Sequence, residues 1–272
     1  MAGGPSYYEL TPTRGEATAV VPTRHTAGPW SPEAQHGGPP AALLARAIEA
    51  VGDGTRTVSR ITVDLLGPVP LAPLEVRAAV TRPGRSVELV GAELVEQSGR
   101  VVMRASAWQV PGGAGGPVAG LPEPPPGPGH GRERDLPPGW HRGYLDTITW
   151  RWVEGSLAEP GPATVWLRPG VPLSVGEKLT PLQRLLVCVD SASGVSSALD
   201  IRKWQFMNTD LTVHLVRELR GEWVGLRART VLSGGASGVA LAELFDEEGF
   251  VGHSAQALLV RPAVASSTPT VQ

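Results

Sequence analysis

The chain has 272 residues, 41% hydrophobic and 18% charged, with a formal net charge of −2 and a pI near 6.3. That balance is ordinary for a soluble globular protein and gives no basic field for nucleic acid. The single cysteine, Cys188, excludes an internal disulfide and a cysteine-based metal cluster, and it suits a reducing compartment.

The opening MAGGPSYYELTPTRGEA lacks the basic segment and apolar core of a signal peptide. No stretch approaches the roughly 20 apolar residues of a membrane span, so the expectation is a soluble, cytoplasmic chain with no membrane partner. After a short polar lead, Thr18–Thr23 reads as a strand and His25–Gly38 as a loop rich in turn residues. Pro39-Pro40 then opens the Ala/Leu-rich segment AALLARAIEAVG, with prolines in its first turn and Gly52 at its end, the marks of a helix. Strands are expected at Val58–Leu66, Leu74–Thr81, Ser86–Glu96 and Arg100–Val110, with Arg82-Pro83-Gly84-Arg85 and Ser98-Gly99 as turns.

Residues 111–138 are a Gly/Pro-rich linker whose composition favours an extended spacer, and His130 within it is expected to be solvated. The plan then repeats. Tyr144–Val153 and Ala163–Leu167 read as strands, and Thr180-Pro181 starts a helix ending at Gly194. Strands follow near Asn208–Val216, Trp223–Leu232, Ala236–Asp246 and Phe250–Val260, and residues 263–272 are expected to be a disordered tail.

The repetition is visible in the residues. AELVEQSGRVVMRASAWQV at 92–110 returns in outline as AELFDEEGFVGHSAQALLV at 242–260, and Thr62-Val63 returns as Thr212-Val213, always 150 positions on. A register held this long marks a duplicated domain. A helix ahead of an antiparallel sheet buries itself when the sheet curls around it. The expected fold is therefore α+β, a double hotdog: two tandem repeats, 15–110 and 139–262, each a sheet wrapped around a central helix.

The duplicated plan resembles the TesB-like acyl-CoA thioesterases, as do AQHGGPPAALLARAIE in the first half and NTDLTVHL, GEWVGLRART and GHSAQALLV in the second. It is more similar still to the thioesterase-like double-hotdog proteins common in actinobacteria. The resemblance implies hydrolysis of an acyl-CoA or acyl-carrier-protein thioester in lipid metabolism, without metal or other cofactor, by a water held by an Asp, a Thr and a Gln. Carried over, Asp190 matches the helix Asp and Gln256 the last-strand Gln. Asn208 falls on the Thr position, and Asp210 matches a strand Asp two residues on. Asn keeps a donor and an acceptor. Thr209 is expected on the opposite strand face.

The residues themselves support this chemistry beside plainer readings. Asp190 follows an apolar helix run, where burial raises a carboxylate toward a general-base range; otherwise it caps a turn with Ser191 or Ser193. Gln256 interrupts an apolar strand, where it holds water or a carbonyl oxygen, or else faces solvent at an edge. Asn208 positions the water or simply starts a strand. His36, Gly37 and Gly38 precede the first helix, where backbone N–H groups can approach a substrate oxygen, and His36 either contacts substrate or braces the loop. Cys188 lacks a basic neighbour and reads as core. GxSxG and Asp/His metal spacing are both absent.

Two other functions fit the pattern. A hotdog hydratase or dehydratase pairs Asp with His, which requires His36 beside Asp190, and a non-catalytic acyl-binding scaffold tolerates the drift at Asn208. At the 150 offset the first copy has Val58 for Asn208 and Ser106 for Gln256, and AALLARAIEA holds no close counterpart of Asp190. The chemistry is therefore expected in the second copy, with Gly37-Gly38 as a wall, and hotdog surfaces commonly stack into homo-oligomers.

Overall fold

The computed structural model describes residues 4–12, 17–29, 31–52, 54–113, 116–200 and 203–263. The first half contributes β1 (Tyr8–Pro12), β2 (Thr18–Pro22), α1 (Gly38–Val51), β3 (Arg56–Leu65), β4 (Leu74–Arg82), β5 (Glu88–Glu96) and β6 (Val101–Pro111). The second contributes β7 (Ile148–Ser156), β8 (Glu159–Pro169), α2 (Pro181–Val189) and α3 (Ala192–Val195), then β9 (Trp204–Asn208) and β10 (Asp210–Leu215). It closes with β11 (Val224–Leu232), β12 (Ser237–Asp246) and β13 (Gly249–Pro262).

Among the described residues all strands join one antiparallel sheet in the order β1-β2-β4-β5-β6-β3-β10-β13-β12-β11-β8-β7, with β9 also on β13. The order reads alike from either edge. Its midpoint is the β3–β10 pair, where Thr62 faces Thr212 with their hydroxyl oxygens 3.1 Å apart. Ile61 faces Val213 and Val63 faces Leu211, so residues 150 apart exchange places about the Thr62–Thr212 pair. The sequence repeat is thus a local two-fold relation in space.

The helices lie against each other and against the sheet. Helix α1 packs on α2 and on β4, β5 and β6, while α2 packs on β8 and β11. The α1 side chains Leu43, Leu44 and Ile48 are fully buried with Leu186 and Val187 of α2 and Val90 and Leu94 of β5. Burial of each such side chain contributes about 1.5–3 kcal/mol. Thr180 caps α2 by accepting from the Gln183 N–H, and Gln183 reaches back to the Thr180 N–H in a capping box. At α1 the sequence Gly37-Gly38-Pro39-Pro40 removes the usual surplus of donors, because two of its first positions carry no N–H.

Several expected elements differ. The helix expected to run to Gly194 stops at Val189. The Tyr144 hydroxyl donates to the Val187 carbonyl, and the Ser191 N–H bonds back three residues to Cys188 instead, which breaks the ladder at Asp190. Tyr144–Thr147 is a 3₁₀ turn rather than the start of β7, tied by the Thr147 hydroxyl to the Tyr144 carbonyl. The polar lead contains β1, anchored by the buried Tyr8, whose hydroxyl donates to Gln35 Oε1. The strand expected over Asn208–Val216 breaks at Thr209, and Asp210 Oδ1 accepts from the Ala257 N–H beside the break.

The linker follows the second half rather than hanging free. Trp166 Nε1 donates to the Pro126 carbonyl, and Arg132 bridges Trp152. His130 is exposed, in a short 3₁₀ turn. Residues 264–272, the bulk of the expected tail, lie outside the described residues. Among the described residues no helix is long and apolar enough to cross a membrane.

Candidate active site

Asp190 sits at the break between α2 and α3 and is only 7% exposed. Two amides converge on one of its carboxylate oxygens. Asn208 Nδ2 donates to Asp190 Oδ1 at 2.8 Å, and Gln256 Nε2 donates to the same oxygen at 3.3 Å. Gln256, fully buried on β13, also donates to the Asp190 carbonyl at 3.1 Å, and its Oε1 accepts the Ser193 N–H at 3.0 Å. These bonds offset the desolvation of a buried carboxylate and fix its rotation. Asp190, Asn208 and Gln256 are therefore one cluster.

The other oxygen, Oδ2, faces the start of α1. His36 Nδ1 lies 3.3 Å from it. A Cβ placed on Gly37 would fall 2.7 Å from it, so only glycine lets the chain pass this close to the carboxylate. Gly38 is pressed in the same way onto the Val187 carbonyl. The two glycines thus bring the positive end of a 14-residue helix to an acidic side chain.

His36 is 12% exposed and stacks on Tyr144, with ring centroids 3.7 Å apart and planes 7° from parallel. Burial holds the imidazole below its usual 6.5, and the Asp190 charge opposes this only in part. The Gly38 N–H donates to Nδ1 at 3.1 Å, which assigns the ring proton of the neutral form to Nε2. Since the His36 N–H goes to the Thr26 carbonyl, the Gly37 N–H is the one donor at this turn with no acceptor among the described residues.

A depressed histidine has a definite sign in pH dependence. As pH falls through 6.5 the unfolded chain takes up the proton first, so stability declines below that value toward the folded pKa and is complete above it. Urea unfolding at about pH 7.5 and about pH 5.5 is expected to show this loss, and His36→Gln should flatten it. An unchanged slope in that variant contradicts the assignment.

The cluster opens on a cavity of about 480 Å³ built from both halves. Its apolar walls include Leu65, Val69, Trp140, Trp150, Leu157 and Phe206, which suit an acyl chain. Tyr144 braces His36 and Ser191 from a 3₁₀ turn, a role that the strand pattern of its segment conceals. Trp140 and Trp150 are the sequence signal for the wall. Thr209 lines the cavity and donates to the Ala257 carbonyl, with no hydrogen bond to Asp190 among the described residues. Burial pushes the Cys188 thiol up, consistent with a core role. Among the described residues no group of three or more His, Cys, Asp or Glu side chains could hold a metal ion.

Two family models match the chain: an acyl-CoA thioesterase N-terminal domain over residues 26–110 and an acyl-CoA thioesterase C-terminal domain over residues 119–260. No curated protein gives a significant sequence match. Among solved structures, the chain is similar to a candidate thioesterase II from Thermobifida fusca, at 20% identity, 97% of this chain, 100% of that chain and a TM-score of 0.76. It is similar to a protein of unknown function with a hotdog fold from Alicyclobacillus acidocaldarius, at 17% identity, 94% and 97% coverage and a TM-score of 0.74. A third is the acyl-CoA thioesterase II TesB2 of Mycobacterium marinum, at 17% identity, 96% and 97% coverage and a TM-score of 0.69. At these identities the structures establish a hotdog fold.

Proposed function

The chain belongs to the acyl-CoA thioesterase family and hydrolyses acyl-CoA thioesters, and we propose that it does so with a water molecule activated by Asp190. The observation that carries this reading is the division of labour on one carboxylate. Asn208 and Gln256 both donate to Oδ1, which leaves Oδ2 to take a proton at the cavity wall.

In this scheme the acyl chain occupies the apolar cavity and the thioester carbonyl lies beside Gly37. Water loses a proton to Asp190 Oδ2 as its oxygen bonds to the carbonyl carbon. The Gly37 N–H and the α1 dipole stabilise the oxyanion. The intermediate collapses with cleavage of the C–S bond, and the proton on Asp190 passes to the departing thiolate. The products are a carboxylic acid and free CoA thiol, and no metal or other cofactor enters the scheme.

Asn208 then orients the base rather than replacing the Thr by analogy. Asn208→Leu removes the donor at 2.8 Å and is expected to lower kcat/KM about 100-fold, whereas Asn208→Thr should stay within about tenfold of wild type. Thiol release from a series of acyl-CoAs measures both. Equal activity of the Leu variant and wild type rules out the proposed role.

We extend the reading to architecture and setting. The halves 15–110 and 139–262 form two hotdog units joined by the 111–138 linker, a double hotdog supported by the mirror-related strand order. The chain works in the cytoplasm and stacks into a homo-oligomer. A carrier-protein thioester presents the same reacting group and is the second candidate substrate. His36 at 3.3 Å from Asp190 is the observation that favours a hydratase instead. That reaction would consume an enoyl thioester without releasing thiol, so the same assay separates the two.

A further inference from the structure

The two-fold relation that brings Thr62 opposite Thr212 generates a second cavity, of about 240 Å³, where α2 begins and α1 ends. Its wall is the mate of the active-site wall. Val58, Leu215 and Leu219 line it at positions 150 residues from Asn208, Leu65 and Val69, which line the first. Thr180, the cap of α2, stands where Gly37 caps α1.

The apolar positions are kept, but the polar lining has changed. Val58 pairs with Gln109 as Asn208 pairs with Leu258, so an amide occupies the place of a buried leucine. Gln109 is 4% exposed, and its buried Oε1 has no hydrogen-bond partner. An acceptor in that condition carries the full cost of its lost water. Arg56 stands diagonally across from Gln109 on the paired strand, and its buried Nη1 also lacks a partner while Nη2 donates to the Gly84 and Arg85 carbonyls.

A carboxylate completes the set. Although the α1 sequence offers no aligned counterpart of Asp190, Glu49 accepts from the Thr180 hydroxyl at 2.8 Å and from Gln183 Nε2 at 2.7 Å, at the head of α2. Glu218 stands at the rim. Burial raises the Glu49 pKa and the Glu218 charge adds to that effect, while the bonds from Thr180 and Gln183 and the Arg46 charge offset it only in part. A cation between the two would relieve both.

We infer that this mate cavity is a second, non-hydrolytic site for a small zwitterion of the free α-amino acid type. Its ammonium group is taken by Gln109 Oε1 and the Glu49 and Glu218 carboxylates, and its carboxylate by Arg56. An acyl chain is excluded because the polar groups would be left unpaired against it. This pocket lies at the opposite end of the α1–α2 pair from Asp190.

Isothermal titration of the full-length protein with glycine, leucine, glutamate and phenylalanine tests this, with propylamine and propionate as single-charge probes. The expected result is saturable binding of at least one amino acid, and at least about tenfold weaker binding of both single-charge probes. Glu49→Gln and Gln109→Leu should each weaken binding by about tenfold or more while thioester hydrolysis continues. Absence of saturable binding to folded wild-type protein overturns the proposal, as does undiminished binding by both variants. Binding that is lost in Asp190→Asn but kept in Gln109→Leu also overturns it, since it places the ligand in the hydrolytic cavity. The titration requires no turnover, so its failure is separate from any failure of the hydrolytic reading.

Discussion

Gly37→Ala is expected to lower kcat/KM about 100-fold while leaving the protein folded. The backbone at Gly37, with φ −65° and ψ −21°, lies in the ordinary right-handed region, so alanine meets no conformational barrier there. The cost is contact. The new methyl would lie 2.7 Å from Asp190 Oδ2 and 2.9 Å from both Cγ and Oδ1, the oxygen on which Asn208 and Gln256 converge. Either the carboxylate turns out of reach of Asn208 and Gln256, or the head of α1 moves away from it. Both outcomes remove the base from its working geometry and displace the Gly37 N–H. Steady-state kinetics with a thermal melt make the check: a variant within threefold of wild type in kcat/KM would show that close approach at Gly37 is irrelevant.

Part of this site is legible in the sequence alone. The GGPP start of α1 was readable, since proline at the first turn and glycine before it are strong local signals. Strands β3 to β6 and β10 to β13 were readable from the repeated pattern, and the β3–β10, β4–β5 and β11–β12 pairs keep the 150-residue relation. The cluster of Asp190, Asn208 and Gln256 came from resemblance, and its convergence on Oδ1 could not be read from spacing. That convergence depends on the break after Val189, which is caused by Tyr144, distant in sequence.

Two details failed for the same kind of reason. The constant offset suggested Ser106 as the mate of Gln256, but Glu93 faces Arg104 whereas Glu243 faces His253, a slip of one residue. The spatial mate is the buried Ala107, and a one-residue slip exchanges the faces of a strand. Glu49 was passed over because it lies further along its helix than Asp190 does, and only the packing of α1 on α2 brings it to Thr180. The β5–β6 turn is one residue longer than the β12–β13 turn, and local propensity records neither such a register nor a helix–helix contact.

Asp190→Asn carries the largest expected loss. The asparagine can turn its carbonyl oxygen toward Asn208 Nδ2 and Gln256 Nε2 and so keep the network that holds the site. Its amide nitrogen would then occupy the place of Oδ2, where it cannot accept a proton from water. The substitution therefore separates the fold of the site from its chemistry, and a general base of this kind accounts for about 10³-fold in rate. Single-turnover thiol release, with acyl-CoA bound to excess enzyme, is the most direct measurement. The account predicts that Asp190→Asn binds the acyl-CoA within threefold of wild type and releases thiol about 10³-fold more slowly. Release at the wild-type rate from the bound complex would contradict it.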